Sequence, residues 1–108
     1  MTAMETLNFR LESAPAERSG ASSTLCGVVG SGNLEILLRQ SNEPTVCTVE
    51  VKTAARGFGD TGQAVLDAFA TTHAAGGTRI AINDMGATPA VVTLRLAQTL
   101  SDYQRGRR

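Results

Sequence analysis

The sequence predicts an α+β two-layer sandwich, a mainly antiparallel sheet of about five strands with two helices on one face, in the order β-β-β-β-α-β-α. Three observations carry this reading. Apolar residues alternate with a period of two through much of the first half of the chain, the mark of half-buried strands. The period becomes helical after Asp60 and again after Thr88. Each helical segment has a single apolar stripe, and a sheet with both helices on the same face is the simplest arrangement that buries both.

The elements follow in order. Leu7, Phe9 and Leu11 alternate with Asn8, Arg10 and Glu12, giving a first strand. Residues 13–23 are small and polar, with Pro15 and Gly20, and read as a loop. Thr24 to Val29 and Leu34 to Arg39 are strand-like runs joined by Gly30-Ser31-Gly32-Asn33, the local pattern of a β-hairpin, because Gly and Asn tolerate the positive φ of tight turns. "SNEP" (Ser41 to Pro44) is the next turn. From Thr45 to Thr53, Cys47, Val49 and Val51 face one way and Thr48, Glu50 and Lys52 the other. Asp60-Thr61-Gly62-Gln63 has the form of a capping box, so the first helix is expected to begin there, with Val65, Leu66 and Phe69 on its buried face. Gly76-Gly77 is expected to end it. Thr78 to Asn83 is a strand. In "DMGATP" (Asp84 to Pro89), Asp84 and Gly86 suit a turn, Thr88 an N-cap and Pro89 the first helical position; a partner-docking edge is the alternative reading. Val92, Leu96, Leu100 and Tyr103 form the stripe of the last helix, and residues 104–108 read as a flexible tail.

Composition narrows the function. The 108 residues fit a single domain, 1–108. Lys+Arg and Asp+Glu are equal at ten each, so charge offers no general argument for nucleic acid or an anionic membrane. No apolar run approaches a membrane span, and a cytoplasmic location is expected. Cys26 and Cys47 lack the spacing of a metal site, and His73 is the single histidine, so a zinc centre is not expected. The two cysteines read as free buried thiols.

Ser31 is the residue to explain, a serine with glycine on each side. The dinucleotide fingerprint fails because a strand, not a helix, follows Gly32. The nucleophile elbow fails because it requires a strand-to-helix turn, and His73 lies near the end of the first helix. No carboxylate pair has a supporting context, so the chain carries no acid-base machinery of its own. Two readings of Ser31 remain: a turn residue, or a hydroxyl offered to another enzyme for modification, with the flanking glycines leaving room for a bulky donor.

Three stretches decide the emphasis. "VVGSGNLEILL" (Val28 to Leu38), "GFGDTGQAVLDAF" (Gly57 to Phe69) and "AINDMGATPAVVTLRLAQTL" (Ala81 to Leu100), together with the opening "METLNF", strongly resemble the acyl carrier, or delta, subunits of biotin-independent malonate decarboxylase, from Met4 to about Leu100. The citrate lyase acyl carrier subunits are a weaker likeness. The resemblance implies a non-catalytic carrier in which Ser31, in the matching "GSG", holds a phosphodiester-linked phosphoribosyl-dephospho-CoA arm, 2'-(5''-phosphoribosyl)-3'-dephospho-CoA. It implies a transferase subunit that exchanges acetyl for malonyl on the arm's thiol, a decarboxylase subunit that releases carbon dioxide, and a separate prosthetic-group transferase. The family usually has aspartate after the second glycine; Asn33 here removes a charge beside the arm. An unmodified interaction module is the competing reading.

Overall fold

The computed structural model describes residues 5–16, 23–26, 34–53 and 58–104. Seven elements occur in the expected order: β1 (Glu5–Glu12), β2 (Ser23–Cys26), β3 (Leu34–Gln40), β4 (Val46–Thr53), α1 (Phe58–Thr72), β5 (Thr78–Asp84) and α2 (Pro89–Gln104). The five strands form one sheet in the order β1-β4-β5-β3-β2. Three of its four pairings are antiparallel; β4 and β5 run parallel, with α1 making the long crossover that a parallel pair requires.

The register explains the alternation seen in the sequence. Leu11, Cys47 and Thr78 form one cross-strand row. Phe9, Val49, Ile80 and Leu38 form the next, then Leu7, Val51, Ile82 and Ile36, then Thr53, Asp84 and Leu34. All of these point to one side. There they join Leu66, Phe69 and Ala70 of α1 and Val92, Leu96, Leu100 and Tyr103 of α2 in one buried core. Leu7 and Phe9 are half-buried because β1 is an edge strand. Apart from buried Asp84, the opposite side carries most of the charged strand residues, and α1 packs toward β1 while α2 covers β2 and β3.

Two helix boundaries differ from expectation. α1 begins at Phe58, so Asp60 sits inside its first turn and not at its cap. The helix also stops at Thr72, four residues before the glycine pair. Gly76 and Gly77 instead shape the entry to β5. Gly77 takes a left-handed φ of 85°, and a Cβ on Gly76 would collide with the carbonyl oxygens of Pro44 and Ser13. Gly76 donates to Ala14 at 2.8 Å and accepts from Ala16 at 2.9 Å. The start of the expected 13–23 loop is therefore fixed to this entry. Ser13 is buried; its hydroxyl accepts from the Ala75 N–H at 2.9 Å and lies within donating distance of the Ala70 and His73 carbonyls, at 2.8 and 2.9 Å.

Candidate functional site

Ser31, its neighbours 27–33 and Asn33 lie outside the described residues, so the candidate site is defined by what flanks it. β2 and β3 pair antiparallel, with Ser23 opposite Arg39 and Cys26 opposite Ile36. In every such pair the residue numbers sum to 62. A chain that leaves β2 at Cys26 and enters β3 at Leu34 reverses direction, as the hairpin expectation requires.

The sheet end at which β3 begins is built by residues distant in sequence. Leu34 stands opposite Asp84, the last residue of β5, and Asp84 stands opposite Thr53, the last residue of β4. Asp84 is completely buried. Its Oδ2 accepts from the Thr53 hydroxyl at 3.0 Å, and its Oδ1 accepts from the amides of Gly86 and Ala87 at 3.0 and 2.8 Å. Gly86 has φ 113°, a conformation other residues rarely adopt, so the turn has the Asp84 and Gly86 that the sequence predicted. Thr88 caps α2 as expected: its hydroxyl accepts from the Val91 amide at 3.3 Å, and Pro89 opens the helix.

This arrangement has a chemical consequence. Asp84 holds the amides of Gly86 and Ala87 just ahead of α2, Thr88 holds that of Val91 in its first turn, and Pro89 has none, so fewer amides are left there for an anion. Met85, 57% exposed at the tip of the turn, is a large apolar side chain left in the open.

The sequence's other chemical candidates lie elsewhere. His73 follows α1, stacks on Phe69 with ring centroids 5.1 Å apart, and accepts a hydrogen bond through its carbonyl near the start of β5. From Thr78 to Asp84 that strand runs ~20 Å, so His73 sits at the opposite end of the sheet from Leu34. Cys47 is a free, buried thiol; burial pushes its pKa up, and contact with the Thr78 hydroxyl at 3.3 Å partly opposes this. The side chain of Cys26 lies outside the described residues. Among the described residues no three His, Cys, Asp or Glu side chains converge as a metal site, and no helix is long and apolar enough to cross a membrane.

Sequence reasoning missed Thr53 and Ser13. Each finds its partners 31 or more residues away, so no local spacing announces it. The Asp84-x-Gly86 spacing did carry a signal, that of an aspartate turning onto its own following amides.

The chain is similar to known proteins along nearly its whole length. Residues 21–103 match the family described as malonate decarboxylase delta subunit (MdcD), an acyl carrier protein family. The malonate decarboxylase acyl carrier protein of Acinetobacter calcoaceticus is 50% identical over 101 residues, covering 94% of this chain and 98% of the relative. That of Stenotrophomonas maltophilia is 48% identical over 103 residues, covering 95% and 97%. Among solved structures, a chain in the crystal structure of a Pseudomonas malonate decarboxylase hetero-tetramer in complex with malonate superposes with a TM-score of 0.75 at 35% identity, over 92% of this chain and 98% of that one. The two-layer fold, the strand register on either side of residues 27–33 and these likenesses agree: the chain belongs to the malonate decarboxylase delta subunit family of acyl carrier proteins.

Proposed function

We propose that this acyl carrier subunit is itself non-catalytic and is loaded at Ser31 with phosphoribosyl-dephospho-CoA through a phosphodiester to the serine oxygen. The observation that supports the reading is the antiparallel pairing of β2 and β3, the strands on either side of residues 27–33, at a sheet end braced by Asp84 in a chain of this family. The chain supplies a hydroxyl and a stiff mount. The base that takes the serine proton belongs to the modifying transferase, since His73 stands at the other end of the sheet. The group supplies a thiol on a long flexible arm, where acetyl and malonyl units are held as thioesters. Tethering raises the local concentration of the acyl unit at each partner site, into the millimolar range for short flexible linkers. The partners are the transferase and decarboxylase subunits of a malonate decarboxylase.

The test is intact mass of the chain after co-expression with its prosthetic-group transferase. The wild type should gain the mass of the group and Ser31→Ala should not, while the two melt together to within about ±0.5 kcal/mol. A gain that persists in Ser31→Ala, or none in the wild type, overturns the reading.

A further inference from the structure

The sheet face turned away from the helices carries an unusual row. Arg10 stands opposite Thr48, Thr48 opposite Arg79, and Arg79 opposite Arg39, so three arginines line up across four strands. Arg10 is engaged: its guanidinium forks onto both Glu43 carboxylate oxygens. Arg39 and Arg79 are exposed, stand directly opposite each other, and have no ion-pair partner among the described residues. Like charges directly opposed across strands are destabilising, so this pair works against the fold. Between Arg10 and Arg79 the Thr48 hydroxyl is buried without a hydrogen-bond partner. A depression of about 530 Å³ opens there, lined by Asn8, Arg10, Thr48, Glu50, Arg79 and Ala81. Half-buried Ala81 and Leu37 form the adjoining apolar strip. Among the described residues no carboxylate forms an ion pair with either: Glu43 is forked by Arg10, with Arg79 adding a weaker pull that helps hold its carboxyl below the usual range, Glu35 accepts from Asn83 at 3.2 Å, and Glu50 makes no ion pair.

We propose that this open sheet face docks an acidic surface of another protein chain, with Arg39 and Arg79 as its charged contacts. Arginine beside a small apolar strip is the composition that protein interfaces favour, and carboxylates match the guanidinium fork. Another protein is favoured over a free anion because the solved relative comes from a hetero-tetramer. The geometry suits a carrier. Arg39 lies five residues along β3 from Leu34, ~16 Å, so docking here leaves the 27–33 end free to present its arm. In that respect the inference rests on the proposed function.

The experiment measures affinity of the full chain for the other subunits of its decarboxylase complex, at low and high salt. Arg79→Glu and Arg39→Glu should each weaken binding roughly tenfold or more, with the gap to wild type narrowing as salt rises. Neither should lower the melting temperature, and Ser31 loading should be unchanged by intact mass. Gln63→Glu, on the exposed side of α1, should bind as wild type. Unchanged affinity in both arginine variants overturns the proposal. So does equal weakening by Gln63→Glu, or an Arg79-dependent rise in melting temperature with inorganic phosphate while subunit affinity is unaffected, which would mark a free-anion site. Failure of the wild type to load at Ser31 sinks the prosthetic-group reading and leaves the docking measurement standing.

Discussion

At the scale of single residues, two buried groups, Asp84 and Cys47, give direct tests of the structure. Asp84 links the last residue of β4 to the turn that starts α2 through three hydrogen bonds. Replacing it with alanine removes all three bonds, the one to Thr53 buried and the two to the amides part-buried, so Asp84→Ala should cost about 1–3 kcal/mol in chemical denaturation. A loss under about 0.5 kcal/mol would show that the turn holds without it. Cys47 gives a pH dependence. Burial raises its folded-state pKa above that of the unfolded chain. Its contribution is therefore full below the ordinary thiol range and declines as pH rises, because the unfolded chain loses the proton first. Unfolding free energy should fall from about pH 8 upward, with a shallower fall in Cys47→Val; equal slopes in the two proteins would contradict the assignment.

At the scale of elements, alternation and stripe spacing made the faces legible. Leu34, Ile36 and Leu38, then Cys47, Val49 and Val51, then Ile80 and Ile82 were assigned to one face from sequence and are buried together. The apolar α2 stripe of Val92, Leu96, Leu100 and Tyr103 was read from sequence, while buried Thr99, whose hydroxyl donates to the Arg95 carbonyl, was missed. Leu96, fully buried among the strands, should cost roughly 2–5 kcal/mol as alanine, against almost nothing for Ser31→Ala. Equal melting temperatures for the two variants would contradict the core. The ends of α1 were read less well. Asp60 and Gln63 imitate a capping box, yet the helix begins at Phe58. The glycine pair resembles a helix stop, yet its backbone is demanded by Ser13 and Pro44 pressing on Gly76. Local sequence names a glycine's freedom without naming the neighbour that requires it.

At the scale of the whole molecule, strand order was not legible, because it is decided by which buried faces close over which helices. The parallel β4–β5 pair at the sheet's centre, which brings Thr53 and Asp84 side by side, has no signature shorter than their separation of 31 positions. The arginine row is likewise invisible in sequence, since Arg10, Arg39 and Arg79 meet only through the register. What the sequence did convey was the pair of neighbouring strands on either side of a glycine-flanked serine, on which the proposed scheme of a carrier loaded at Ser31 rests. The most direct measurement of that scheme is fragment-ion mass spectrometry of the chain isolated from its native complex, on the tryptic peptide spanning residues 19–39. The added group should map to Ser31 and to neither Ser22 nor Ser23. A group on another residue, or a complex that turns over malonate with this peptide unmodified, would contradict it.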